Sequence, residues 1–230
     1  MIGIILAGGN GTRLKPLTEI VNKHLLPVYK KPMIEYPLET LKLMGCDNII
    51  IVSGGNNIGG FAEYLGDGSR YEVELTYKVQ TDAGGVAQAL SCAENLAKGL
   101  FPVILGDNYF SEAPVMPESP TIYYKKIEHP NRFGVFVGDK IIEKPKANVG
   151  NKAVTGLYVY DEQCFEFINK LKPSDRGELE ITDVNNAYLK NGMLEVEQYF
   201  GHWSDMGTFE SLLDTSYYVW SKENEFINEQ

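Results

Sequence analysis

The sequence predicts an α/β protein with a mostly parallel central sheet and a β-rich second half. Short β-rich runs alternate with helical patterns up to about residue 120, and β-rich pieces dominate afterwards. The first run, Ile2–Leu6, is short, apolar and followed by glycines, which is typical of a strand buried on both faces. No linker-like segment divides the chain, so we expect a single domain over residues 1–230.

The first half continues the alternation of helices and strands. The predicted elements are a helix over residues 32–44, a strand over 48–52, a helix over 86–98 and a strand over 102–105. Gly45 and Gly99 follow the two helices, where glycine commonly caps a C-terminus. The last strand ends just before Asp107, at the kind of strand end where parallel sheets bind ligands.

The second half mixes strands and helices without strict alternation. Strands are predicted over residues 121–125, 133–142, 154–160 and 194–199, and helices over 162–171, 178–190 and from 208 towards 220. A loop is expected over residues 201–207. The polar residues 222–230 have little to bury, so we expect them to fray.

The composition excludes several classes of function. The formal net charge of -10 disfavours general binding to nucleic acid or to an anionic membrane. The 3 cysteines are far apart and predict neither a disulfide framework nor a metal knuckle, which favours the reducing cytoplasm. No apolar run approaches the ~18 residues of a membrane span, and the apolar start of the chain lacks the basic flank of a signal peptide.

A glycine-rich loop follows the first predicted strand. In Gly8-Gly9-Asn10-Gly11-Thr12-Arg13, backbone amides could point together at phosphate oxygens, with Arg13 adding charge. The loop is not a Walker A motif, and Leu14 replaces the third glycine of the dinucleotide fingerprint. A tight turn that only needs positive φ angles is an equal alternative.

Ten further blocks extend this motif along the chain. They are Lys23-His24-Leu25-Leu26-Pro27-Val28, Lys31-Pro32-Met33-Ile34, Gln80, Gly84-Gly85-Val86-Ala87-Gln88-Ala89, Leu105-Gly106-Asp107-Asn108, Phe133-Gly134-Val135, Glu143-Lys144-Pro145, Val154-Thr155-Gly156-Leu157-Tyr158, Arg176-Gly177-Glu178-Leu179-Glu180-Ile181-Thr182-Asp183 and Trp203-Ser204-Asp205-Met206-Gly207-Thr208. In this order they resemble the sugar-phosphate nucleotidyltransferases over essentially the whole chain. The resemblance implies a Rossmann-like nucleotidyltransferase fold, with residues 1–120 as the nucleotide-binding half and 121–230 as the sugar-phosphate-binding half.

The resemblance also implies a reaction. A phosphate oxygen of glucose 1-phosphate would attack the α-phosphorus of dTTP, giving dTDP-glucose for deoxysugar and polysaccharide biosynthesis, and pyrophosphate. Positioning and neutralisation of phosphate charge should carry the rate, with Mg²⁺ as cofactor. UTP differs from dTTP by one methyl group, worth about 1–3 kcal/mol of discrimination, so some use of UTP is expected. A homo-oligomer is possible.

Residue roles are carried over from the matching motifs. The catalytic cations are Arg13, Lys23 and Lys144. The metal ligands are Asp107 and Asp205, whose hard oxygens come from separated segments. The nucleotide-binding residues are Leu6, Ala7, Gly8, Gly9, Gly11, Thr12, Gln80, Gly85 and Asp107. The sugar-binding residues are Gly134, Glu143, Val154, Tyr158 and Trp203, although Trp203 fits the core equally well.

Alternatives remain open. A uridylyl- or cytidylyltransferase acting on the same sugar phosphate would share most of these motifs, because base choice depends chiefly on Gln80 and on residues 81–84, which depart from the family pattern. A catalytically silent nucleotide-sugar-binding protein and a redox dinucleotide enzyme are further alternatives. Prolines 114, 117 and 120 predict a reduced segment where the family often has a helix. The short C-terminus predicts lost or altered feedback regulation.

Overall fold

The computed structural model describes residues 1–228 of the chain. The strands are β1 Ile2–Leu6, β2 Pro27–Val28, β3 Lys31–Pro32, β4 Asn48–Gly54, β5 Glu74–Gln80, β6 Phe101–Leu105, β7 Asn108–Phe110, β8 Thr121–Lys126, β9 Gly134–Val137, β10 Lys140–Glu143, β11 Lys152–Tyr160, β12 Glu195–Gln198 and β13 Trp203–Asp205. The α-helices are α1 Glu35–Leu43, α2 Gly55–Leu65, α3 Val86–Ser91, α4 Gln163–Ile168, α5 Ile181–Lys190 and α6 Phe209–Asn228.

A nine-stranded sheet organises the molecule, in the order β10-β9-β11-β6-β1-β4-β5, with β8 and β12 continuing from the other side of β11. Strands β6, β1, β4 and β5 are parallel, whereas β11 runs antiparallel to β6, β8 and β9. The expected α/β class is therefore confirmed. The parallel part belongs to the first half of the chain, and the β-rich second half is mainly antiparallel.

Both faces of the sheet are buried, which explains the continuous apolar run of β1. Ile4 and Leu6 belong to one hydrophobic cluster, shared with α3, α4 and α5. Ile5 and Ala7 belong to the opposite cluster, which includes residues of α1 and α2. Since successive side chains of a strand point to opposite faces, a strand covered on both sides must be apolar at every position.

Helix α2 and strand β5 of the first half were not predicted, nor were the short strands β2, β3 and β7. Helix α2 begins at Gly55 and contains Gly59 and Gly60, a composition that favours a loop. Its Phe61 and Leu65 are buried in the core, so tertiary packing outweighs the weak propensity. Strand β5, at the edge of the sheet, is mostly polar and extends the parallel part by pairing with β4.

Several predicted boundaries were wrong. Helix α3 ends at Ser91 rather than at residue 98, and α5 begins at Ile181 rather than at residue 178. The predicted loop over 201–207 contains the short strand β13. The fraying predicted from residue 222 is wrong up to residue 228, because α6 continues to Asn228. Within this stretch, Glu223 accepts a hydrogen bond from Lys30 Nζ at 2.6 Å. Residues 229 and 230 lie outside the described residues.

The proline-containing segment before β8 lacks a helix, as expected. Residues 111–120 contain neither helix nor strand, and they follow β7 directly. Within residues 1–228, none of the helices combines the length and apolar character that crossing a membrane requires.

Candidate active site

A cleft of about 270 Å³ opens where β1, β5 and β6 end. The glycine-rich loop, the 3-10 turn Lys23–Leu25, the ends of these strands and the region from Ala83 into α3 line it, together with one residue of the second half. The lining residues are Leu6, Gly8, Gly9, Asn10, Lys23, His24, Gln80, Ala83, Gly85, Val86, Ala89, Leu105, Asp107 and Glu178. The position agrees with the rule that parallel sheets bind ligands at the carboxyl ends of their strands.

The glycines of the loop are needed for different reasons. Gly11 has φ +63°, which L-residues rarely adopt, and it begins a 3-10 turn over Thr12–Leu14. Gly8 is needed for close approach, since an added Cβ would lie 2.3 Å from Gln80 Oε1. At Gly9 an added Cβ would lie 3.1 Å from Lys23 Nζ. The tight-turn explanation therefore applies to Gly11, while Gly8 and Gly9 make room for the side chains of Gln80 and Lys23.

Asp107 is held as a buried anion at the floor of the cleft. Lys23 Nζ donates to Asp107 Oδ2 at 2.6 Å, and Asn108 Nδ2 donates to Asp107 Oδ1 at 3.0 Å. Burial opposes ionisation, but the charge of Lys23 and these hydrogen bonds outweigh it and lower the pKa of Asp107. The carboxylate is therefore charged at neutral pH.

Asp205 reaches the same place from the far end of the chain. Strand β13 pairs antiparallel with β7, so Asp205 lies directly opposite Asn108. Arg132 donates a hydrogen bond to Asp205 Oδ2. Burial, and then the nearby charge of Asp107, raise the pKa of Asp205 to about 6, against the opposing effect of Arg132 and other cations. The structure thus brings the two predicted metal ligands together in one cluster of charges.

This donor set fits Mg²⁺. Magnesium is commonly held by one or two carboxylates, with substrate phosphates and water completing its octahedron. Asp107 lines the cleft and Asp205 lies beside it, and within residues 1–228 no three acidic, histidine or cysteine side chains form a metal cage. An ion at this position would therefore take its remaining ligands from water and from the substrates.

Gln80 lies at the end of β5 on the opposite wall of the cleft. Its Nε2 donates to Gln88 Oε1 at 2.6 Å and to the Gly85 carbonyl at 3.3 Å, while its Oε1 faces Gly8. Gly85 has φ +98°, and an added Cβ would lie 2.6 Å from the Leu179 carbonyl oxygen. Glycine at this position is therefore required by its backbone conformation and by the nearby backbone of the second half.

Three of the predicted sugar-binding residues, Gly134, Glu143 and Tyr158, lie near one another in the second half. Strands β9 and β10 form a hairpin in which Gly134 lies opposite Glu143. Thr182 Oγ1 donates to Glu143 Oε2 at 2.5 Å, and Lys144 Nζ lies 3.3 Å from Glu143 Oε1. Tyr158 is almost buried on β11, and burial together with the charges of Glu143 and Asp107 raises its pKa.

Other predicted residues lie less directly in the site. Arg13 and Thr12 are exposed at the rim, with Arg13 Nη2 2.8 Å from where a Cβ on Gly207 would lie. Ala7 and Val154 are buried. Trp203, for which sugar and core roles were equally favoured, belongs to the core, where its Nε1 donates to Asn108 Oδ1 at 2.7 Å.

The comparisons with known proteins agree with this geometry. The sequence profile of the Nucleotidyl transferase family matches residues 2–222. This chain belongs to that family. Among curated proteins, it is 42% identical to a glucose-1-phosphate thymidylyltransferase of Neisseria meningitidis over 97% of this chain and 84% of the relative. It is 40% identical to a glucose-1-phosphate thymidylyltransferase of Mycobacterium tuberculosis over 95% of this chain and 82% of the relative.

Solved structures show the same fold as this nucleotidyl transferase. A Bacillus anthracis protein assigned as a glucose-1-phosphate thymidylyltransferase, crystallised with sucrose, superposes with a TM-score of 0.87 at 42% identity over 94% of each chain. A UDP-glucose pyrophosphorylase complexed with UDP-glucose has a TM-score of 0.86 at 23% identity, covering 96% of this chain and 98% of that chain. The second likeness concerns the fold alone.

Two arginines of this nucleotidyl transferase were missed by sequence reasoning. Arg132 pairs with Asp205, and Arg176 pairs with Glu180 at 2.8 Å and with Glu143 at 3.2 Å. Arg176 is the first residue of a motif that carries the family resemblance, so the sequence could have indicated it as a candidate site residue. Arg132 precedes the Phe133 motif by one residue, and only the fold reveals its partner.

Proposed function

We propose that this chain transfers a deoxythymidylyl group from dTTP to glucose 1-phosphate, releasing dTDP-glucose and pyrophosphate. The proposal is carried by one observation: Asp107 and Asp205 come together beside a nucleotide-sized cleft. Glu143 lies near them, with Thr182 and Lys144 as its partners. Relatives at about 40% identity over most of the chain, named for this activity, support the choice of substrates. We infer that residues 1–120 form the nucleotide-binding half and residues 121–230 the sugar-phosphate-binding half.

The nucleotide would occupy the cleft with its base against Gln80. Because Gln88 and Gly85 hold the Nε2 group, Gln80 Oε1 is oriented to accept a hydrogen bond from the imide N–H of thymine or uracil. The backbone amides of Gly8 and Gly9 would face the phosphates in this proposal, and Arg13 would stabilise the departing pyrophosphate.

Asp107 and Asp205 would hold Mg²⁺ in this proposal. The ion, when bound, neutralises charge on the triphosphate and so makes attack by another anion possible. Lys23, confined beside Asp107, keeps that carboxylate ionised and adds a cation next to the phosphates.

The sugar phosphate would bind between Glu143 and the adjacent cations. Glu143 accepts hydrogen bonds from sugar hydroxyls, while Lys144 and Arg176 at the rim balance the phosphate charge. No general base is required, because the attacking phosphate oxygen is already deprotonated at neutral pH. His24 is unsuited to that role, since burial lowers its pKa to about 3.

A substrate panel tests the proposal. Purified protein is incubated with glucose 1-phosphate and each of dTTP, UTP, CTP and ATP, with and without Mg²⁺, and pyrophosphate release is measured. We expect the highest kcat/KM with dTTP, weaker turnover with UTP and none without the metal. Faster turnover with UTP or CTP would replace the thymidylyl assignment by the corresponding nucleotidyl group. Nucleotide binding without any turnover would indicate a silent binding protein.

A further inference from the structure

Each of the two carboxylates at the proposed metal position already has a cationic partner. Lys23 pairs with Asp107, and Arg132 pairs with Asp205. A divalent ion bound by the same carboxylates must therefore share them with these cations or displace one of them. If one cation is displaced, it is the one whose side chain can leave its carboxylate more easily.

The exposure of the two side chains separates them. Lys23 and Asp107 are only 11% and 14% exposed, so this pair is confined beneath the glycine-rich loop. Arg132 is 43% exposed, while its partner Asp205 is 15% exposed. Its guanidinium can therefore move into solvent at little cost, leaving the Asp205 carboxylate to another cation.

Once released, the guanidinium of Arg132 would lie near Lys144. Arg132 ends the 3-10 turn Pro130–Arg132, immediately before Phe133, whose carbonyl accepts a hydrogen bond from Lys144 N at 3.1 Å. Arg132 and Lys144 thus lie close together in the chain's fold, where it enters and leaves the β9–β10 hairpin that carries Gly134 and Glu143. A freed Arg132 would join Lys144 beside the phosphate of the sugar substrate.

We propose that Arg132 is a displaceable countercharge on Asp205, which a divalent ion replaces and which is then free to bind the sugar phosphate. The inference rests on the proposed metal role of Asp107 and Asp205. Two like charges compete for one partly buried carboxylate, so removal of Arg132 strengthens binding of the ion. The same removal weakens binding of the sugar phosphate.

The test measures Mn²⁺ binding to the full-length, substrate-free protein by the loss of the free-ion EPR signal. We expect Arg132→Gln to bind Mn²⁺ more tightly, on the order of threefold to tenfold, and to raise the KM for glucose 1-phosphate. Arg132→Lys keeps the charge and should stay close to the wild type in Mn²⁺ affinity. A merely structural loss would not tighten binding of an ion.

Arg176→Gln is the matched control, because Arg176 is 40% exposed but pairs with Glu143, Glu178 and Glu180. Unchanged or weaker Mn²⁺ binding in Arg132→Gln, or an equal gain in Arg176→Gln, would overturn the proposal. Asp205→Asn separates the two proposals: if it binds Mn²⁺ as the wild type does, the metal site itself is wrong. If it loses the ion while Arg132→Gln shows no gain, only the countercharge role fails.

Discussion

Asp205 lies directly opposite Asn108 in the antiparallel pair formed by β13 and β7. The buried Asn108 side chain extends this link in three directions. Its Oδ1 accepts hydrogen bonds from Gly156 N and Trp203 Nε1, and its Nδ2 donates to Asp107 Oδ1. One carboxamide thus joins β7, β11 and β13 at the point where the two candidate metal ligands meet.

Asn108→Ala should destabilise the protein and misplace Asp107. The substitution leaves the Gly156 N–H and the Trp203 Nε1–H without their buried acceptor, a loss on the order of 2 kcal/mol. Urea unfolding measures this change. Equal stability of Asn108→Ala and the wild type would show that the carboxamide does not organise this junction.

Gly156→Ala should damage the same junction without changing a polar group. An added Cβ would lie 2.6 Å from Asn108 Cγ, so either the side chain or the strand must move. We expect a loss of about 1–3 kcal/mol in unfolding free energy together with reduced turnover. Gly59→Ala is the matched control, because a Cβ there meets nothing within 4 Å and the helix should gain slightly. Similar effects of both substitutions would contradict the expectation.

Asp205→Asn should abolish turnover and yet stabilise the fold at neutral pH. The pKa of Asp205 rises from 3.8 to about 6 in the folded protein, so the ionised carboxylate destabilises the fold above about pH 6. Replacing it should gain on the order of 2 kcal/mol at pH 7.5. The gain should shrink as the pH falls through 6 towards 4, where the folded wild type is protonated. Urea unfolding of both proteins across this range measures the difference, and a gain independent of pH would rule out the raised pKa as its cause.

Gln88→Met should weaken recognition of the base alone. The substitution removes the acceptor that orients Gln80 Nε2 but keeps the length of the side chain. We expect the KM for dTTP to rise on the order of threefold to tenfold, with an unchanged KM for glucose 1-phosphate. Initial-rate kinetics measure both constants. Gln163→Met, at the start of α4, serves as the control, and an equal rise in both KM values would argue against a role limited to the base.

The order of motifs and the first strand were sufficient to predict the family, the fold class and much of the residue content of the cleft. This succeeded because glycine-rich loops, strand-end aspartates and continuous apolar runs have local causes. Helices and strands that form because of tertiary packing, rather than because of a local sequence pattern, were missed or given wrong bounds. Helix α2 forms despite Gly59 and Gly60 because Phe61 and Leu65 find a core to enter.

The amino-acid sequence by itself therefore determined which chemical groups are available: two separated aspartates, a phosphate-sized loop and a set of cations. Only the tertiary structure decided how they pair, with Lys23 on Asp107, Arg132 on Asp205 and Trp203 on Asn108. The physical reason is that these pairings depend on the register of strands distant in the chain. That register is set by burial and hydrogen bonding across the whole sheet, which no local pattern contains.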